Sequence, residues 1–242
     1  MTIAAGFNCR EGFLLASDTL YADTSQRHGR KLLAAATGDN RVWFAGAGTH
    51  AGLERLRHEI ATTLTTVMNE RDILKCVEDA LAVTLEDVTK DSAESTEALF
   101  VIRCGSTGPL HFLENRRGSS ELSTVGQPAQ CVGSGSSLGK YYIDVLYRDL
   151  MPIRWARIVA AHLVAQAKTY SASSGGDTTF LEIRRDGTTR FIDDQLEIAS
   201  DAQHLGQLDA AMRAALPDAS VNDDALEQRL KTIVEAIHRE QL

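Results

Sequence analysis

Apolar positions along the chain switch between two periods, and the switches mark its elements. Two short apolar runs, Ile3–Phe7 and Phe13–Ala16, flank a polar turn at Asn8–Gly12, the pattern of a hairpin with Gly12 in its turn. A polar, irregular stretch covers Thr19–Gly29, and Lys31–Ala36 and Arg41–Ala45 then read as two more strands joined at Thr37–Asn40. Four strands in two consecutive hairpins predict an antiparallel sheet. Over Thr49–Asn69 the period lengthens: Leu53, Leu56, Ile60 and Leu64 recur at helical spacing, which predicts an amphipathic helix. A second helix is expected from residue 70 or 71 to Val88, and the polar Thr89–Thr96 loop ends it.

Strand character returns at Ala98–Arg103 and Leu110–Leu113, around a Gly105–Gly108 turn, and more weakly at Glu121–Val125 and Ala129–Val132. Helices resume over Ser136–Arg148 and Pro152–Lys168, with Pro152 in the first turn, where its missing N–H costs nothing. The Ser171–Gly176 cluster stops the second of these. Thr178–Ile183 and Thr188–Ile192 then form a last hairpin around Asp186 and Gly187. Strands, two helices, strands, two helices, strands is the order of an α+β fold. It predicts a four-layer αββα sandwich, two antiparallel sheets flanked by helix pairs. We therefore expect one core over residues 1–194 and a C-terminal helical extension over 195–242. Helical stretches are predicted there at Ala202–Ala215 and Asn222–Gln241. The second carries an apolar stripe, Leu226, Leu230, Ile233 and Ile237, suited to its own core or to a neighbouring subunit.

Composition narrows the function classes. With 43% hydrophobic and 24% charged residues, the 242-residue chain is ordinary for a soluble globular protein. A net charge of −8 argues against a nucleic-acid partner, which needs clustered Lys and Arg. No apolar run reaches the ~18 residues that span a membrane, and no basic-then-apolar leader opens the chain. Cys9, Cys76, Cys104 and Cys131 are scattered, with no CxxC pair and no histidine at ligand spacing. They read as buried thiols of a cytoplasmic protein, with no metal site and no cofactor expected.

The candidate chemistry begins at the first hairpin. Its pairing brings Thr2 and Asp18 to the same open end. Removal of Met1 would place a free α-amine, of ordinary pKa about 7.7–8, on the residue that carries the Thr2 hydroxyl. Such an amine can act as the base that makes a threonine a nucleophile. Four further stretches stand out: Arg30-Lys31-Leu32, Phe44-Ala45-Gly46-Ala47-Gly48, Val132-Gly133-Ser134-Gly135-Ser136 and Ser173-Ser174-Gly175-Gly176-Asp177. The last three are glycine-rich turns where strand and helix meet, with backbone N–H groups free to polarise a carbonyl.

In this order, over about residues 2–193, the set resembles a proteasome-type β subunit of the N-terminal-nucleophile hydrolase superfamily, of the bacterial homologue kind. The resemblance implies a threonine-type endopeptidase in a self-compartmentalised, homo-oligomeric ring. Its substrates would be peptides or unfolded proteins, and an ATP-dependent unfoldase would be a candidate partner. It implies Thr2 as nucleophile, Lys31 beside it as the charge that lowers its pKa, and Asp18 as the partner of Lys31. It also implies the Gly46 N–H as oxyanion donor, with Ser134 and Ser174 around the amino terminus. Ser171 stands where the family carries an aspartate, and His50 where it carries one at the start of the first helix. Phe44 is expected either in the core or narrowing a specificity pocket. Two alternatives stay open: a catalytically inactive structural subunit, which Ser171 favours, and an amidase of the same superfamily acting on a small molecule.

Overall fold

The computed structural model describes residues 3–21, 28–66, 68–88, 96–170, 175–203 and 206. Among these described residues, ten strands form two five-stranded antiparallel sheets. In the first, β1 (Ala4–Cys9), β2 (Gly12–Asp18), β8 (Ala129–Val132), β9 (Thr178–Arg184) and β10 (Thr189–Ile192) run in the order β10-β9-β2-β1-β8. In the second, β3 (Leu32–Thr37), β4 (Asn40–Ala47), β5 (Glu97–Arg103), β6 (Leu110–Asn115) and β7 (Leu122–Thr124) keep chain order. Helices α1 (His50–Thr63) and α2 (Glu70–Val88) cover the second sheet; α3 (Ser136–Leu146) and α4 (Ile153–Tyr170) cover the first. The four-layer αββα sandwich expected from the order of periods is the fold.

Alternation along each strand makes three cores out of four layers. In β2, Leu14 and Ala16 point to the α3/α4 layer, while Phe13 and Leu15 point between the sheets. Val42 and Phe44 of β4 face α1 and α2, and Trp43 and Ala45 face the other sheet. The choice left open at Phe44 falls to the core: its ring is fully buried and packs on Phe100, with centroids 5.5 Å apart. Gly12 fits its turn because its φ is +153°, and a Cβ there would lie 2.0 Å from the Ile183 carbonyl oxygen.

The helix expected over Thr49–Asn69 is shorter, and its ends show why. Thr49 caps α1 by accepting the Gly52 N–H at 3.1 Å. Leu64 turns to an extended conformation, and the Asn40 side chain binds the Thr65 carbonyl at 2.8 Å. Asn69 then starts α2 with a reciprocal cap: its Oδ1 accepts from the Asp72 N–H at 3.0 Å while Asp72 Oδ2 accepts from the Asn69 N–H at 3.3 Å.

Asp194 caps a further helical segment, residues 195–203, by accepting the Leu196 N–H at 2.9 Å. Ile198 buries its side chain in the α3/α4 core. Arg157 of α4 grips this segment at Glu197 (2.7 Å) and Asp201 (2.6 Å), and it also meets Glu182 of β9 at 3.6 Å. The start of the extension is therefore seated on the core. Helical structure begins at residue 195 rather than at Ala202, because Asp194 supplies the cap. The stripe Leu226, Leu230, Ile233 and Ile237 lies outside the described residues.

Candidate active site

The described chain starts at Ile3, where β1 is about to begin, and Asp18 at the end of β2 holds it. Continuing the Ala4–Ser17 register sets Ile3 against Asp18. The Ile3 N–H donates to Asp18 Oδ1 at 3.4 Å, and the Asp18 N–H donates to the Ile3 carbonyl at 3.4 Å. On the other side of the carboxylate, the Gly175 N–H donates to Oδ2 at 3.2 Å.

Lys31 enters from the other sheet, one residue before β3. Its ammonium reaches Asp18 Oδ1 at 2.7 Å, and neither side chain exposes any surface. The ammonium also donates to the Leu20 carbonyl and lies 5.0 Å above the Tyr21 ring, an arrangement that favours a cation. The Tyr21 hydroxyl donates to the Arg30 carbonyl at 2.7 Å, which fixes the ring under Lys31. Burial pushes the Lys31 ammonium below the ordinary lysine value, and the charge of Asp18 beside it opposes that shift.

Gly46 plays a different part from the one expected of it. Its N–H donates to the Lys31 carbonyl at 3.0 Å, one rung beyond the β3–β4 ladder, so in this structure it is engaged rather than open to an oxyanion. Glycine is required there for another reason: a Cβ would lie 2.3 Å from Leu53 Cδ2, so its absence lets α1 close on the sheet. Gly46 thus locks the backbone of Lys31.

Ser134 sits exposed in the turn between β8 and α3. That turn wraps the first described residue: a Cβ on Gly135 would touch the Ile3 side chain at 3.4 Å. The Gly133 N–H donates to Glu97 Oε2 at 2.7 Å, a contact between the two sheets that the sequence did not advertise. Asp18 and the Ser134 turn thus meet Ile3, while Lys31 joins through Asp18 and Gly46 through the Lys31 backbone. Thr2, Ser171 and Ser174 lie outside the described residues.

Two other neighbours escaped sequence reasoning. Tyr21 lies in the stretch that read as irregular, where an isolated aromatic carries no periodic signal. Lys168 ends α4 and donates to Thr178 Oγ1 at 2.7 Å, directly across the β2–β9 ladder from Asp18. A lysine in the last turn of a helix reads first as a partner of the helix dipole. Next to the pair in sequence, Thr19 and Arg30 help to line a cleft of about 290 Å³, together with His28, Asp177, Asp193 and Gln195 among others. Among the described residues no cluster of His, Cys, Asp and Glu could hold a metal ion, and no helix is long and apolar enough to cross a membrane.

No family model and no curated protein matches the chain. Solved structures do. A Gly-1 mutant of Anbu from Hyphomicrobium sp. strain MC1 aligns over 92% of this chain and 100% of its own, with a TM-score of 0.74 and 17% identity. Anbu from Yersinia bercovieri, described as an ancestral beta-subunit, aligns over 91% and 100%, with a TM-score of 0.76 and 15% identity. The Anbu complex of Pseudomonas aeruginosa, solved as a helical assembly, aligns over 91% and 100%, with a TM-score of 0.72 and 15% identity. The chain therefore has the fold of these Anbu structures. Identities this low establish the fold alone. The assignment to the proteasome-type β-subunit family made on sequence motifs is corrected accordingly: the likeness is one of fold, to Anbu, and no family model extends it to membership.

Proposed function

We propose that this chain is a threonine-type hydrolase of peptide bonds, with Thr2 as its nucleophile once Met1 is removed. One observation carries the proposal: a fully buried Asp18–Lys31 pair holds the backbone of the residue that follows Thr2. A buried ion pair is a poor device for stability, since its desolvation cost is large, so its presence at this point calls for a chemical reason. Beside an N-terminal threonine, the fixed ammonium of Lys31 would favour the alkoxide and the neutral α-amine. The amine would then take the hydroxyl proton as threonine attacks the peptide carbonyl, and return it to the leaving amine. Ser134 and, in the segment after α4, Ser174 would hydrogen-bond around that amine, and Ser171 offers a hydroxyl where a carboxylate would have stabilised the ammonium form. The oxyanion donor would be a backbone N–H other than that of Gly46. The helical assembly of the Pseudomonas aeruginosa protein supports an oligomer here as well, one that would confine an unfolded polypeptide near the site. Residues 1–194 would form the catalytic unit and 195–242 a helical appendage.

The test begins with intact-mass analysis to establish a free Thr2, followed by turnover of a fluorogenic peptide library by wild type and Thr2→Ala. Turnover that disappears in Thr2→Ala while the oligomer persists is the expected result. Equal turnover in both proteins would end the threonine-nucleophile proposal. No turnover by wild type with Thr2 free would favour a structural subunit instead.

A further inference from the structure

The Asp18–Lys31 pair has a second cation beside it. Lys168 stands in the last turn of α4, half-buried, with its ammonium 2.7 Å from Thr178 Oγ1. Thr178 is the cross-strand partner of Asp18. Side chains directly opposite in an antiparallel pair share a face, with Cβ atoms about 4.5–5.5 Å apart. That face is the one toward α4, because Ala16 and Phe180, the next pair along the ladder, lie in the α3/α4 core. A lysine bound to Thr178 therefore lies on the same face of the sheet as the Asp18 side chain, one strand away.

We propose that Lys168 is a positioning residue of this site, a second ammonium that shares Asp18 with Lys31 and thereby sets the charge state of Lys31. The proposal rests on the reading of Asp18 and Lys31 as the support of the nucleophile.

The charges that face Lys168 come from three elements: Asp18 on β2, Asp177 just before β9, and Lys31 before β3. His28 lies further out, against Gly176. Burial lowers the Lys168 pKa first, Asp18 and Asp177 raise it, and Lys31 lowers it. Coupling between two sites is reciprocal, so whatever Lys31 does to Lys168, Lys168 does to Lys31. Two ammonium groups stand near one fully buried carboxylate: Lys31 touches it at 2.7 Å, and Lys168 is bound to its cross-strand neighbour Thr178. Each makes the other easier to deprotonate, and the site stays poised closer to neutral pH than a lone Asp–Lys pair would. Arg30 cannot substitute, since it is spent on Asp193 at 3.6 Å and on the Phe191 ring at 4.5 Å.

The chain has six lysines, so ¹³C-lysine labelling gives a spectrum in which each side chain can be assigned and titrated. The experiment follows Lys31 from neutral pH to the alkaline edge of folding in wild type, Lys168→Met, Lys168→Gln and Lys168→Arg. Removing the charge is expected to raise the Lys31 midpoint by on the order of one pH unit, equivalent to about 1.4 kcal/mol of charge–charge coupling. Lys168→Arg should restore it, because guanidinium keeps the charge. Both limbs of the peptidase pH profile should move up in the same sense, a shift that a merely structural lysine would not produce. A Lys31 midpoint unmoved in both neutral variants, or a Lys31 signal that titrates in no variant, overturns the proposal. If the midpoint moves while no variant cleaves peptide, the coupling stands and the peptidase proposal fails.

Discussion

Lys31 and Asp18 meet at 2.7 Å with no exposed surface on either side chain, although they belong to different sheets. Asp18 closes β2 of one sheet, and Lys31 opens the approach to β3 of the other. The pair is thus a charged bolt across the sandwich at the end where β1 begins. Ile3 and Gly175 donate backbone N–H groups to the same carboxylate, so the bolt also ties down the approach to β1 at Ile3 and the segment leading into β9.

A double-mutant cycle measures that bolt. Asp18→Asn leaves a buried ammonium without its counter-charge and should cost about 3–5 kcal/mol in chemical denaturation. Asp18→Asn combined with Lys31→Met should recover much of the loss, since a neutral pair has no charge to desolvate. Its pH dependence has a definite sign. The folded chain holds the Lys31 proton less tightly than the ordinary value of 10.5, so between those values the unfolded chain binds more protons. The stability this group contributes therefore rises with pH through that window and is smallest below it. Wild type should gain on Lys31→Met as pH rises toward 10.5; a gain in the opposite direction would contradict the burial-driven shift.

The thiols should be inert with one exception. Burial pushes the pKa of Cys9 and of Cys131 from the ordinary 9.0 up to about 12, and also raises Cys76. Cys104 is free and only partly buried. Alkylation of the native protein near pH 8, read by mass spectrometry, should label Cys104 first and spare the others. Because the folded chain keeps the two protons that the unfolded chain releases above 9.0, each thiol should cost about 1.4 kcal/mol of stability per pH unit between 9.0 and about 12. Cys9→Ala with Cys131→Ala should flatten that alkaline slope.

Gly46→Ala separates packing from chemistry. The added methyl would meet Leu53 Cδ2 at 2.3 Å, and Leu53 is fully buried, so α1 or the Leu53 rotamer must shift. A loss of about 1–3 kcal/mol is expected from such overpacking. Leu53→Ala in the same chain should relieve the clash, though it leaves a cavity of its own. If catalysis returned together with the fold, Gly46 would be needed for its shape and for the ladder bond to Lys31.

Arg157 should govern the seating of residues 195–203. It is 12% exposed and contacts Glu182, Glu197 and Asp201, of which Glu182 is 4% exposed. Arg157→Met removes the cation shared by Glu182, Glu197 and Asp201, leaving Arg190 on β10 to reach Glu197 and Arg184 to reach Glu182. Hydrogen exchange over residues 195–203 should accelerate by about tenfold or more, the equivalent of losing one well-held charge interaction. Unchanged exchange there would show that Arg157 does not govern the seating, which would then rest on contacts such as Ile198 in the core and Arg190 on Glu197.

Local pattern carried much of this protein. The period-two runs and the helical spacings contain, residue by residue, which side faces apolar surroundings, so the order of elements and the four-layer sandwich follow from them. The glycine-rich turns and Asp18 at the end of its hairpin are equally local: the Ala4–Ser17 pairing is a matter of a short connection. What only the tertiary structure decided depends on partners far apart in the chain. The Gly46 N–H was expected to be open; the β3–β4 register gives it to Lys31, and register is set by the packing of whole sheets. Lys168 reads in isolation as a helix-end cation, and only the docking of α4 over β9 brings it to Thr178 and so to Asp18. Tyr21 and Glu97 are likewise silent in sequence, since an aromatic in an irregular stretch and a glutamate opening a strand acquire meaning from what the other sheet sets against them. The short motifs were a weaker guide than the order of elements: no family model matches the chain, and its likeness to solved structures is one of fold. Membership in a family needs agreement along the whole chain, and at 15–17% identity to the Anbu structures that agreement is one of shape.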